Sequence, residues 1–121
     1  MPEKGKTICL DFDGVLAEYH GWEGPHHHGL PLPSAREFLE RLRDAGVTVV
    51  VLTSREGSEE IKAWFKPHNL PMPSKVTNKK VPANAYVDDR AVHFDGDFSH
   101  LLKDLKKFKP HWKDQRPFED L

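Results

Sequence analysis

The sequence predicts an α/β domain built on a mainly parallel central sheet, and three observations carry that prediction. Short apolar runs alternate with amphipathic helical stretches in the order strand, helix, strand, helix, strand. The clearest run, VTVVVL from Val47 to Leu52, lacks polar alternation and reads as a strand buried on both faces, as parallel strands are. Each apolar run also ends in polar residues: Asp11 and Asp13, then Thr53-Ser54-Arg55, then Asp88-Asp89.

The first run, KTICLDF from Lys6 to Phe12, is too short for periodicity to separate strand from helix. Asp13-Gly14 terminates it as a turn and favours the strand. From Val15 to Pro33, Gly21, Gly24, Pro25, Gly29, Pro31 and Pro33 break any long helix, so this stretch is a loop. Ser34 with Glu37 three residues later has the pattern of a capping box. The helix it opens carries the stripe Ala35, Phe38, Leu39, Leu42 and Ala45, and Gly46 stands where a C-terminal cap belongs. A second helix starts near Ser58, faces inward with Ile61, Trp64 and Phe65, and stops at Pro67. Short strands are expected at Lys75–Thr77 and Ala85–Val87, and a last helix from about Ser99 to Phe108 with Leu101, Leu102, Leu105 and Phe108 inward. The whole chain, 1–121, reads as one domain, with a polar tail over 113–121 that is expected to fray while Trp112 packs back.

Composition narrows the function classes. The 121 residues carry 18 Lys+Arg against 19 Asp+Glu, a formal charge of −1, so no bulk attraction to nucleic acid or to an anionic membrane is expected. One cysteine, Cys9, excludes an internal disulfide and a Cys-rich zinc site and suits a reducing compartment. No stretch approaches the ~18 apolar residues of a membrane span, and no signal-peptide core follows Met1. The expectation is a soluble, cytoplasmic domain without a membrane partner.

The polar residues at the strand ends carry the chemistry. In open parallel sheets the carboxyl ends of the strands form one rim, and ligands bind there. Asp11, Asp13, Asp88 and Asp89 therefore converge, and an all-oxygen acidic set of this kind favours Mg²⁺. Along extended chain, residues i and i+2 share a side, so Asp11 and Asp13 face the site together while Phe12 faces the core.

Asp11-Phe12-Asp13-Gly14-Val15-Leu16 resembles the first motif of the haloacid dehalogenase (HAD) superfamily, most of whose members are Mg²⁺-dependent phosphatases. Thr53 after VVVL resembles its second motif and Lys80 its third; Asp88-Asp89 after AYV resembles the acidic fourth. The four motifs stand in order from Asp11 to Asp89, most of the chain. Thr53-Ser54-Arg55 and Asp88-Asp89-Arg90 are also similar to the phosphatase domains of bacteriophage polynucleotide kinases, which act on 3′-phosphates. Gly21-Trp22, Lys80, Pro82, Ala83 and the run from Asp88 to Gly96 resemble small HAD hydrolases of bacteria and phages.

The resemblance implies a three-layer Rossmann-like fold and a phosphomonoester hydrolase working through an aspartyl-phosphate. Asp11 is then the nucleophile and Asp13 the general acid and base. Thr53, Ser54, Arg55 and Lys80 bind the substrate phosphate, and Asp11, Asp13 (through its main-chain carbonyl), Asp88 and Asp89 hold Mg²⁺. Lys75 and Lys79 compete with Lys80 for the lysine position; Lys80 stands eight residues before Asp88, the spacing of the small HAD group. Arg90 reads as a structural ion pair, His26-His27-His28 as a solvated loop, and Lys103, Lys106, Lys107 and Lys109 as a solvated helix face.

Gap lengths bear on the substrate. Only 20 residues from Gly14 to Pro33 precede the first helix, and 26 lie between Thr53 and Lys80, so neither gap holds a cap domain. The site is expected to be open except for a small flap over Val15–Pro33. That suits a phosphorylated nucleic-acid end or phosphoprotein, or an oligomer whose neighbour covers a small-molecule site. A polynucleotide 3′-phosphatase and a catalytically silent binding module are the competing functions, and a mutase is disfavoured because it must shield its intermediate from water.

Overall fold

The computed structural model describes residues 2–113 and 118–121. Residues 114–117, which belong to the tail expected to fray, lie outside the described residues. The chain divides into two compact units, Met1–Asp88 and Asp89–Leu121.

In the first unit the elements follow the predicted order: β1 (Thr7–Asp11), α1 (Ala35–Asp44), β2 (Thr48–Leu52), α2 (Ser58–Phe65), β3 (Lys75–Thr77) and β4 (Ala85–Val87). The four strands form one sheet in the order β3-β2-β1-β4. Every pairing is parallel, with Asp11 beside Leu52, Leu10 beside Val87 and Leu52 beside Thr77. The architecture is α/β, an all-parallel sheet flanked by helices, consistent with the three-layer Rossmann-like class.

Side-chain volume explains where the core sits. Leu10, Phe12, Leu16, Leu39, Val51, Ile61, Trp64 and Phe65 pack into one buried cluster, which joins β1 and β2 to both helices and to the loop after β1. Burying each large member contributes about 1.5–3 kcal/mol, so this cluster holds the strand ends in place. Phe12 stacks edge-on to Trp64 with 4.9 Å between ring centroids, and Trp64 meets Phe65 likewise at 5.3 Å.

The helix ends follow local chemistry only in part. Gly46 closes α1 at φ 86, donating to the Arg43 carbonyl, while Val47 N–H donates to Leu42. That bond pair is a Schellman cap, and its left-handed position suits glycine. The expected Ser34 capping box does not form. Ser34 itself is left-handed, at φ 68, and its hydroxyl caps nothing, since this backbone turns the side chain away from the first helical N–H groups. Phe38, expected inside, is exposed; Ala35 and Leu39 occupy the inward stripe and Phe38 falls beside it.

The second unit contains α3 (Phe98–Lys107). Asp97 caps it, accepting from the Ser99 and His100 backbone N–H groups, so the helix begins a residue earlier than the apolar stripe suggests. No residue of α3 is fully buried, and Leu102, expected inward, is exposed. Apolar periodicity marks a face but does not specify what covers it. Lys103, Lys106, Lys107 and Lys109 are exposed, as expected. Trp112 donates its indole N–H to Asp89, and the Arg90 guanidinium lies 5.0 Å from the Trp112 ring centroid.

Candidate functional site

The strand order determines where the carboxyl ends can hold a ligand. From β1 the chain steps to β2 and β3 on one side, whereas β4 lies on the other side of β1. The crevice between β1 and β4 is therefore the topological switch point, the place where open parallel sheets bind ligands. Asp11 ends β1, and because Leu10 pairs with Val87, register places Asp88 beside it. The two carboxylates offer oxygens within 4.8 Å of each other. At that separation like charges repel by about 1 kcal/mol at the dielectric of water and about 3.5 kcal/mol at an effective dielectric of ~20. A divalent cation offsets such repulsion, and carboxylate oxygens are the donors that Mg²⁺ takes.

Asp89 follows Asp88 directly and opens the second unit. Trp112 donates to its Oδ2, while Oδ1 is buried without a hydrogen-bond partner among the described residues. A buried, unsatisfied carboxylate oxygen is costly, and a cation satisfies it. The donor chemistry of the acids thus fits a hard divalent ion.

The loop after β1 is wound by its own backbone. The Phe12 carbonyl accepts from the N–H groups of Leu16 and Ala17, and Gly14 N–H donates to Ala17. Gly14 sits at φ 85, a left-handed position that the Asp-Gly pair supplies without a side-chain clash. The chain then runs out and returns, Glu18 N–H donating to Leu30 and Leu32 N–H to Leu16. These bonds close the base of the flap expected over Val15–Pro33.

Arg55 organises this rim. Its Nε and Nη2 donate to the two carboxylate oxygens of Asp13 at 2.7 and 3.0 Å, a fork-to-fork pair. Nη1 donates to the flap carbonyls of Pro25 at 3.2 Å and Gly24 at 3.4 Å. The Arg55 side chain is only 5% exposed, against 19% for Asp13. Its guanidinium carbon also lies 4.9 Å from the Trp22 ring centroid. Arg55 therefore orients Asp13 and fastens the flap, in addition to standing where a phosphate contact was expected.

Thr53 is buried at the end of β2, its N–H bonded to the Thr77 carbonyl and its Oγ1 accepting from Arg55 N–H at 3.0 Å. Accepting leaves the hydroxyl hydrogen for a ligand oxygen. Ser54 is exposed beside it. Among the lysines, Lys75 opens β3 and so stands at the sheet end away from the rim. Lys79 and Lys80 follow the carboxyl end of β3, and the Lys80 ammonium lies 4.6 Å from the Tyr86 ring centroid. Burial pushes the Cys9 thiol up, the Asp11 charge adds to this, and the Lys80 charge opposes it.

The histidines of the flap are engaged with carboxylates. His26 meets Glu60 at 2.7 Å, His27 meets Glu23 at 2.7 Å, and His28 approaches Glu60 at 3.8 Å. The two Glu60 contacts tie the flap to α2, while His26 and His27 stay exposed, as expected of a solvated loop. Burial first, and the Arg55 charge second, lower the His28 pKa below its ordinary value, against Glu60 and Asp13, which raise it. Trp22 was also missed as a site residue; its signal was a tryptophan between Gly21 and Glu23 in a loop with no core of its own.

No helix among the described residues is long and apolar enough to cross a membrane. No family model matches the chain. No curated protein matches it either. A solved structure of a conserved protein from Bacteroides thetaiotaomicron is similar, with a TM-score of 0.58 and 26% identity over 84% of this chain and 89% of that one. The chain thus shares its fold with a conserved bacterial protein over most of both lengths.

Proposed function

We propose that the chain is a Mg²⁺-dependent phosphomonoester hydrolase of the HAD type, acting through an aspartyl-phosphate. The observation that carries this reading is the meeting of Asp11 and Asp88 at the switch point of the sheet, with Asp13 and Thr53 on adjoining turns of the same rim. Asp11, the Asp13 main-chain carbonyl, Asp88 and Asp89 would hold the ion. Bound there, Mg²⁺ supplies charge neutralisation for a phosphate dianion approaching carboxylates.

In the first step an Asp11 carboxylate oxygen forms a bond to phosphorus as the bond to the leaving oxygen breaks, and protonated Asp13 gives that oxygen its proton. In the second, Asp13 takes a proton from water as the water oxygen attacks phosphorus. The bond to Asp11 then breaks, releasing inorganic phosphate and restoring both aspartates. The Thr53 hydroxyl donates to a phosphoryl oxygen, and Lys80, the lysine beyond β3, balances its charge. Arg55 holds Asp13 in the orientation the transfer needs, and Ser54 stands beside Thr53 as a further phosphate donor.

The test is hydrolysis of a panel of phosphomonoesters with Mg²⁺ by the intact chain and by Asp11→Asn. Turnover by the intact chain, lowered at least ~1000-fold in the variant, is the expected result. Turnover that survives Asp11→Asn removes the nucleophile assignment. An intact chain that hydrolyses no monoester leaves the silent binding module in its place.

A further inference from the structure

The two carboxylate oxygens of Asp89 stand in different surroundings. Oδ2 accepts the indole N–H of Trp112, a residue 23 positions further along the chain. Oδ1 is buried and has no hydrogen-bond partner among the described residues. A buried carboxylate oxygen in that condition is destabilising unless a bound group completes it. The donor on the other oxygen is equally particular. An indole offers one N–H, accepts no hydrogen bond and bears no charge. It therefore fixes the carboxylate without neutralising it. A lysine or arginine in its place would compete with a cation for the same negative charge.

The second unit seats that ring from several directions. Pro110 is buried, and Lys113 N–H donates to its carbonyl at 3.1 Å, so the chain turns tightly around Trp112. The Arg90 guanidinium carbon lies 5.0 Å from the indole centroid and the Lys113 ammonium 5.7 Å from it. Both distances are within reach of a cation–π contact. Arg90 follows Asp89 directly, so the side chain that meets the ring and the one that receives its N–H leave neighbouring backbone positions.

Fixing Oδ2 limits how Asp89 can bind an ion, because the carboxylate then presents a single oxygen. Mg²⁺ demands a near-ideal octahedron, which the narrow bite of a two-oxygen carboxylate distorts. Ca²⁺ has a larger and more flexible shell and accepts both oxygens of one carboxylate. From this geometry we infer that Trp112 is a positioning residue for the metal. It holds Asp89 as a one-oxygen ligand and so favours Mg²⁺ over Ca²⁺. The inference rests on the Mg²⁺ reading above and extends it to the C-terminal segment, which acts through Asp89.

The test is calorimetric titration of the full chain and of Trp112→Phe with Mg²⁺ and with Ca²⁺, in the absence of substrate. Phenylalanine keeps a ring for Arg90 and lacks the N–H. Losing the partner that orients a metal ligand should weaken Mg²⁺ binding by about 10- to 100-fold, while Ca²⁺ binding changes by less than ~3-fold. A purely structural tryptophan predicts a lower Tm with the ratio of the two affinities unchanged, and that result overturns the inference. Unaltered Mg²⁺ binding in the variant overturns it as well. If Trp112→Phe does not fold, the intact chain still supplies a readout. Its three tryptophans give three indole N–H resonances, and that of Trp112 should shift with Mg²⁺ more than those of Trp22 and Trp64. A Trp112 resonance that Mg²⁺ leaves in place overturns the inference. An intact chain that binds no Mg²⁺ removes the metal reading and this inference together. Mg²⁺ binding that depends on Trp112, in a chain that hydrolyses no monoester, upholds the inference and removes the phosphatase alone.

Discussion

Replacing Arg55 by Met removes the group on which Asp13 and the flap both depend. The pair is close and forked, at 2.7 and 3.0 Å, and the arginine side chain is 5% exposed. Removing one partner of a fully buried ion pair costs about 3–5 kcal/mol, because the other charge is left without compensation. Asp13 retains 19% exposure, so water recovers part of that loss, and about 2–3 kcal/mol is the expected cost. Unfolding entropy for 121 residues is on the order of 0.25 kcal/mol per kelvin, which turns this cost into a fall of ~8–12 °C in Tm. The assay is thermal unfolding of the intact chain, Arg55→Met, Asp13→Asn and the double variant, with phosphatase kinetics on each. If Arg55 acts through Asp13, the double-variant cycle shows at least ~1 kcal/mol of coupling, and Arg55→Met lowers kcat by ~100-fold or more. A fall in Tm under ~2 °C with no coupling refutes the reasoning, since the bidentate contact would then orient nothing.

The flap should also respond to pH and to backbone substitution. Burial lowers the His28 pKa, so the folded chain keeps the ring neutral while the unfolded chain protonates near 6.5. His28 therefore contributes stability that is present above pH ~6.5 and lost as pH falls through its folded value; the stability of His28→Gln should fall less between pH ~7.5 and 5, and an NMR titration midpoint for His28 at or above ~6.5 would sink the argument. At Gly29 an added Cβ would meet the Glu18 carbonyl oxygen at 2.1 Å, and the Gly29 carbonyl accepts from the Trp64 indole at 2.9 Å. Gly29→Ala should destabilise by about 1–3 kcal/mol and shift Trp64 fluorescence, and an unchanged melt and spectrum would show that the flap base yields freely.

Much of the fold was legible because it rests on local chemistry. VTVVVL is too uniformly apolar for anything but a two-faced burial, and β2 lies at the centre of the parallel pairings with Val50 and Val51 buried. Ile61, Trp64 and Phe65 recur at helical spacing, and all three are buried on α2. Ser34 and Leu102 mark where local signals stop. A capping sequence acts only if the preceding backbone is extended, and here the chain enters α1 through a left-handed serine. An apolar stripe such as that of α3 identifies a face without identifying what lies against it.

The candidate site divides along the same line. From the sequence alone came the residue types and their order: paired acids after β1, a Thr-Ser-Arg turn after β2, paired acids after β4. Parallel pairing is also a sequence-level inference, and it is enough to bring those ends to one rim. Tertiary structure decided the rest. Strand order made β1 and β4 neighbours and set Asp11 beside Asp88, because hydrogen-bond register, not chain distance, determines which side chains meet. Arg55 closed on Asp13 across 42 positions and on the flap across 30 and 31, contacts that no local spacing encodes. A guanidinium has five N–H donors and satisfies whichever oxygens the fold brings near it. Its destination, and the exposed ring of Trp22 above it, follow from packing of distant segments rather than from any neighbour in the chain.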